Sequence, residues 1–259
     1  ITLTGPAADI DGGPEAIGTL ANCSGGSTPW GTALSCEENF QDYPAELPAG
    51  YGWDAEIYGK KHYGWVVEVD PFDATATPRK HTAMGRFRHE NVAIAVSADN
   101  TVVAYMGDDR ADSCVYKFVA DKKLSGDRAE DMTILESGKL YVADFGNGKW
   151  ILIDFDTQEA LQKAVDKEEK PLYASQADVL ADARNAAITL KATPVDRPED
   201  IEVHPLDGSV FVALTNNTGH GNFHGQIVRL FETDSNPASE TFEWEIFAVG
   251  GPQSGFGSP

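Results

Sequence analysis

Four carboxylates and a thiol stand in this sequence where their chemistries could combine. Glu38, Glu90, Asp109 and Glu199 each flank a short apolar run; Cys36 lies two residues before Glu38, and Arg197 two before Glu199. Carboxylates drawn together from separate segments repel one another unless they are protonated or share cations, so such a set points to a metal cluster. A cysteine beside them adds a soft donor, which argues against calcium alone and for a transition metal such as iron or zinc next to it. An arginine in the same place can clamp two oxygens of a phosphate. Read singly, each acid could also be a strand-end turn residue bonded to local amides, Arg197 could merely neutralise a neighbour, and Cys36 could be an inert core thiol.

An internal repeat is what could bring these residues together. "RHENVAIAVSADNTVVAYMGDD" (88–109) lies over "RPEDIEVHPLDGSVFVALTNN" (197–217): Arg88 matches Arg197 and Glu90 matches Glu199, each pair 109 residues apart. After a one-residue deletion in the turn, Asp109 meets Asn217 at a spacing of 108. A third copy places residues 138–143 over 208–213. A weaker fourth places Ala33 over Ala104 and Glu38 over Asp109, 71 residues apart. In this register Glu38, Asp109 and Asn217 end equivalent strands, while Glu90 and Glu199 begin equivalent ones. Strand alternation points Cys36 and Glu38 the same way and Glu37 the other.

The positioning elements read as short strands. Runs such as "TVVAYM" (101–106), "KLYVA" (139–143), "SVFVAL" (209–214) and "FEWEIF" (242–247) place β-branched and aromatic residues between turn signals. Only residues from about 157 to 187 look helical, being rich in Ala, Leu, Glu, Lys and Gln. A unit of about 40 residues built from short strands is the signature of a β-propeller, in which equivalent positions near the axis converge on one channel. A β-sandwich gives no reason for an acid repeated at one place. The expectation is therefore all-β: a propeller of six blades in the full protein, about four of them here, with one helical insertion near 157–187. Residues 1–259 would form a single domain incomplete at both ends, with a turn-rich tail at 255–259.

Charge narrows the function further. With 41 acidic against 20 basic side chains the formal charge is −21, which repels nucleic-acid backbones and anionic lipid surfaces alike. No run approaches the roughly 18 apolar residues of a membrane span, and the first residues lack the basic start and apolar stretch of a signal peptide. Three cysteines, Cys23, Cys36 and Cys114, are too few for a disulfide scaffold. The six histidines show no zinc-site spacing, and no GxSxG, Walker loop or GxGxxG in a strand–helix context occurs. Serine-hydrolase, nucleotide-loop and dinucleotide readings therefore lack support.

Four motifs in order, "NCSGGSTPWGTALSCEENF", "GRFRHENVAI", "AYMGDDR" and "RPEDIEVHP", resemble the PhoX-type alkaline phosphatases across nearly the whole chain. The resemblance implies a six-bladed propeller, exported by the twin-arginine route to the periplasm or beyond, that hydrolyses phosphomonoesters at a cluster of Fe3+ and Ca2+. It implies Cys36, Glu90, Asp109 and Glu199 as cluster ligands, Glu38 as a calcium ligand and Arg197 as the phosphate-binding group. Whether Glu37, Asp108 or Asp200 reach the metals is left open. The expected partners are small-molecule phosphate monoesters, with no nucleic acid and no membrane, and the expected state is a monomer. Family members are longer, so further blades and ligands are expected beyond Pro259 and before Ile1. Two rival readings are a calcium-dependent propeller hydrolase of phytase or lactonase type, which has no use for Cys36, and a non-catalytic propeller whose acids hold structural calcium.

Overall fold

The computed structural model describes residues 1–10, 12–42 and 61–251, so the tail at 255–259 lies outside the described residues. Sixteen strands are present among the described residues: β1 (Thr2–Thr4), β2 (Asn22–Ser27), β3 (Ala33–Glu37), β4 (Val66–Val69), β5 (Arg79–His81), β6 (His89–Val96), β7 (Thr101–Asp108), β8 (Ala111–Ser113), β9 (Val115–Lys123), β10 (Gly138–Asp144), β11 (Lys149–Leu152), β12 (Val195–Asp196), β13 (Pro198–Val203), β14 (Val210–Leu214), β15 (Gln226–Glu232) and β16 (Phe242–Val249). They build three larger sheets, ordered β1-β5-β4-β3-β2, β11-β10-β9-β7-β6 and β13-β14-β15-β16, and a small β12-β8 pair. Each larger sheet is at heart an antiparallel meander. The innermost strands β2, β6 and β13 lie side by side, β6 in the middle.

Two-sided burial of the middle sheet follows from its composition. In β7, "TVVAYMGD", apolar residues occupy both alternating faces, as a strand covered on both sides requires. Val102, Ala104 and Met106 enter one core with Leu34 and Val66 of the first sheet. Val103 and Tyr105 enter a second core with Ile201, Val212 and Leu230 of the third. The sheets are thus layers that bury their faces only against neighbours.

One expectation is corrected and one refined. The third copy at residues 138–143 is not a unit of its own, because β10 pairs with β9 inside the middle sheet. Its likeness to β14 reflects the shared alternation of any hairpin strand here, and the described residues form three meanders where about four were expected. The helical insertion near 157–187 is broken into Glu159–Gln162, Gln176–Ala181 and Ala183–Thr189. Asp166 accepts the amides of Glu168 and Lys170 and so turns the chain, and Pro171 has no amide to continue a helix. Leu161, Val179, Leu180, Ala183, Ala186 and Ala187 cap the first core. No helix among the described residues is long and apolar enough to cross a membrane.

Buried acids knit the outer strands together. Glu68 on β4 accepts from Trp30 Nε1 at 2.7 Å and from Arg79 Nη2 at 2.8 Å, and lies 2.8 Å from His81 Nε2. Glu232, at the end of β15, receives Lys117 Nζ at 3.0 Å, Tyr105 Oη at 2.8 Å and Trp150 Nε1 at 3.1 Å, tying the second sheet to the third. Burial alone would raise the Glu68 carboxyl, but the bond and charge of His81 and the donors Thr32 and Trp30 hold it down to about 2 against an ordinary 4.5. A carboxyl depressed on folding contributes stability that is complete above pH 4.5 and is lost as pH falls towards 2, here about 3 kcal/mol. Glu68→Gln is expected to lower stability near neutral pH by about that amount and to flatten the acid limb, as read by urea melts from pH 7 to pH 3. An acid limb as steep as in the parent would refute the role.

Candidate metal centre

Each inner strand begins with the same irregularity. Pairing shifts between Asn22 and Gly25 in β2, between His89 and Val92 in β6, and between Pro198 and Ile201 in β13. One hydrogen bond fixes the equivalence of the three: the amides of Glu38, Asp109 and Thr215 bond the carbonyls of Ala21, Arg88 and Arg197 at 3.0, 3.0 and 3.1 Å. Two residues beyond those carbonyls stand Cys23, Glu90 and Glu199. A bulge breaks the alternation of a strand and re-aims a side chain, so the three bulges present these residues at matching places.

The side chains converge accordingly. Donor atoms of Cys23, Glu38 and Glu90 all lie within 4.8 Å of one another, and Cys23 Sγ donates to Glu90 Oε1 at 3.1 Å. Arg197 forks onto Asp109, with Nε 2.9 Å from Oδ1 and Nη2 2.8 Å from Oδ2, and Nη2 reaches Glu199 Oε1 at 2.9 Å. Its backbone is left-handed (φ 57°), a costly conformation for a non-glycine residue, held here by strand pairing on both sides. Burial, then the charges of Glu90 and Asp109, push the Glu38 carboxyl up to about 7. Glu90 is raised by burial and by Glu199, Asp109 and Asp200, and the Cys23 thiol is pushed up to about 12 by burial and Glu90. Such a group of raised acids is short of positive charge, and its mixed thiol and carboxylate donors fit a cation.

Of the expected site residues, Glu38, Glu90, Asp109, Glu199 and Arg197 are brought together, and Cys36 is not. Cys36 is fully buried in the first core with Leu34 and Val66. The thiol at the acids is Cys23. Alternation holds for Glu37, which points away into the frame, while the Cys36 thiol lies beneath the acids, close enough to feel the charges of Cys23 and Glu90 but packed in the core. "NCSG" shares no residue at any aligned position with "HENV" or "PEDI", and only the pairing register makes Cys23 the counterpart of Glu90 and Glu199.

The neighbours left open also find their places. Glu37 is buried and accepts from Lys80 Nζ (2.7 Å) and from the amides of Leu20, Gly64 and Trp65, which makes it a frame residue. Asp108 takes the Ser113 hydroxyl and the Arg88 amide. Asp200 is exposed, and its charge is felt at Glu90. Asn217 is not the counterpart of Asp109: Thr215 holds that position, and Asn217 bonds Asp112 at 3.1 Å within a separate group of Asp112, Asp196 and His220. Arg88 reaches back to Gln41 and Asp42 of the preceding unit, just as Arg197 reaches back to Asp109.

Fold and site together define a β-rich protein with a thiol-and-carboxylate candidate metal centre at its inner strand ends. The chain belongs to the alkaline phosphatase PhoX family, whose pattern matches residues 1–257. It is similar in structure to Pseudomonas fluorescens PhoX, solved in complex with vanadate, a transition state analogue: 36% identity and a TM-score of 0.83 over 97% of this chain and 53% of that one. The chain thus spans about half the length of that relative. No curated protein sequence matches it.

Asn91 latches the site. Its side chain donates to the Ile201 carbonyl at 2.8 Å and accepts the Ile201 amide at 3.0 Å, joining β6 to β13 one residue from Glu90. Asn91→Ala leaves two buried backbone groups unpaired, an expected cost of about 2–4 kcal/mol, and should weaken metal retention at the adjacent acids. Thermal melts and metal content after dialysis check both; an unchanged melting temperature would refute the latch.

Proposed function

We propose that this chain carries the metal-binding half of a phosphomonoesterase, acting on small phosphate monoesters with Fe3+ and Ca2+. The observation that carries the reading is the convergence of Cys23, Glu38 and Glu90 beside the Asp109–Arg197–Glu199 network. Residues Cys23, Glu38, Glu90, Asp109 and Glu199 would hold the ions. When bound, such ions supply Lewis-acid polarisation of the phosphoryl oxygens. The three meanders are read as consecutive blades of a propeller, six-bladed in the longer protein, and the similarity to a relative solved with vanadate, a transition state analogue, supports phosphoryl chemistry.

The chain's own residues supply orientation and charge. Arg197 uses Nε and Nη2 on Asp109 and Glu199, and among the described residues Nη1 has no partner. The side chain is 34% exposed, so the Nη1 N–H groups can meet phosphoryl oxygens while the other two nitrogens keep the guanidinium plane fixed. Positive charge held in this way favours a transition state whose equatorial oxygens gain charge. Asp109 and Glu199 are positioned by the same fork, so substrate binding and the acid arrangement depend on one side chain.

The two cysteines separate this reading from its rivals. Cys23→Ala and Glu199→Gln are expected to lose bound iron and to lower p-nitrophenyl phosphate turnover by roughly 100-fold or more. Cys36→Ala should keep both metal and turnover and lose only about 1 kcal/mol of stability from a small core cavity. Elemental analysis beside the assay decides: iron content unchanged in Cys23→Ala would sink the ligand assignment, and hydrolysis with calcium alone would move the chain to another class of hydrolase.

A further inference from the structure

A second charged site, opposite in sign, backs onto the same strand ends. Arg86, Arg88, Arg110 and Arg184 meet at a cavity of about 320 Å3 between the β6 and β7 ends and the helix Ala183–Thr189, in a chain of net charge −21. Two of the four are committed to the fold. Arg86 donates Nε to the Tyr63 carbonyl at 2.6 Å and lies 4.5 Å over the Phe40 ring, and Arg88 holds Gln41 and Asp42.

The other two cations are undersupplied. Arg184 comes no closer to Asp108 than 3.9 Å, and its buried Nε has no hydrogen-bond partner among the described residues. Asp108 directs its two carboxylate oxygens to the Ser113 hydroxyl and the Arg88 amide, and Arg184 Nε stays beyond hydrogen-bond distance of it. Asp182, the other acid in the wall, is engaged by Asn185 and the Tyr173 hydroxyl. Arg110 extends from the β7 end with no side-chain hydrogen bond among the described residues; burial and the like charges of Arg184 and Arg88 lower its proton affinity. Four guanidinium groups against three carboxylates, Asp42, Asp108 and Asp182, leave a concave site with surplus positive charge, and an oxyanion offers the paired acceptors that Arg110 and Arg184 lack among the described residues.

The placement ties this cavity to the candidate centre. Asp108 turns into the cavity wall and Asp109 to the acids, and Arg88 bonds both, its amide to the Asp108 side chain and its carbonyl to the Asp109 amide. The geometry points to a second anion site, in which Arg110 and Arg184 bind a phosphate group other than the one at the candidate centre. That group is either the remote phosphate of a substrate carrying two or free orthophosphate; the first source rests on the proposed phosphatase reading and the second does not.

Calorimetric titration with inorganic phosphate in an Arg197→Gln background isolates this site from the centre. Binding is expected to persist there and to weaken at least tenfold on adding Arg184→Gln or the more exposed Arg110→Gln, each checked for a native melting profile. No phosphate binding in the Arg197→Gln protein, or binding untouched by both further changes, would overturn the proposal. Kinetics of the single Arg184→Gln and Arg110→Gln variants then distinguish the sources. A KM raised about tenfold for a bisphosphate but not for p-nitrophenyl phosphate assigns the site to substrate; weaker phosphate binding with both KM values unchanged assigns it to orthophosphate. Absence of turnover on every ester would remove the phosphatase reading and leave the titration to decide the site.

Discussion

Everything at the candidate centre depends on the close approach of three strands that belong to different sheets. β2, β6 and β13 lie flank to flank, and the space between them is too small for side chains at certain points. A Cβ on Gly26 of β2 would stand 2.1 Å from the Val92 carbonyl oxygen of β6, and one on Gly107 of the adjoining β7 would stand 2.2 Å from that of Pro198 on β13. Glycine at these positions is a packing requirement, because any larger residue would force the sheets apart. The Asn91 side chain then bonds the Ile201 backbone and fixes the approach in register as well as in distance.

That approach has an electrostatic cost which shapes the rest. Carboxylates from all three inner units are held within reach of one another, and the raised Glu38 and Glu90 carboxyls register the repulsion. Arg197 offsets part of it from the third sheet, leaving a site short of positive charge. The strain is borne by a frame that is itself rich in buried charge. The pairs Glu37–Lys80 and Lys117–Glu232 and the Glu68 cluster each link strands through atoms sealed from water. Replacing such pairs by apolar residues often costs little stability, so their value here is best understood as directional, since they fix one register among many a meander could adopt.

The same strand ends separate charges of opposite sign. On one side Asp109 faces the acids and Cys23; on the other, Asp108 faces a cluster of arginines. Consecutive residues diverge in this way because strand side chains alternate, and the Arg88 peptide groups hold both in place. An acidic centre and a basic cavity can therefore coexist in a chain of strongly negative net charge without neutralising each other.

Much of this architecture is legible in the residues themselves. Alternating β-branched and aromatic runs between turn signals specify short strands. The Arg-x-Glu pairs at 88–90 and 197–199 mark two equivalent inner-strand starts, and the match of Glu38 to Asp109 survives as a shared amide-to-carbonyl bond. The sequence alone did not decide which thiol joins the acids, how many units the strands make, or which residue answers Asp109 in the third sheet. Those choices rest on hydrogen-bond register. A bulge inserts an unpaired residue and reverses the facing of the residues after it, β10 pairs between β9 and β11 inside the second sheet although its pattern suits a sheet of its own, and Thr215 takes the place that spacing gives to Asn217. Local composition sets where strands form and which faces are apolar, whereas the pairing that turns Cys23 towards Glu90 and seals Cys36 in the core exists only once the sheets have packed.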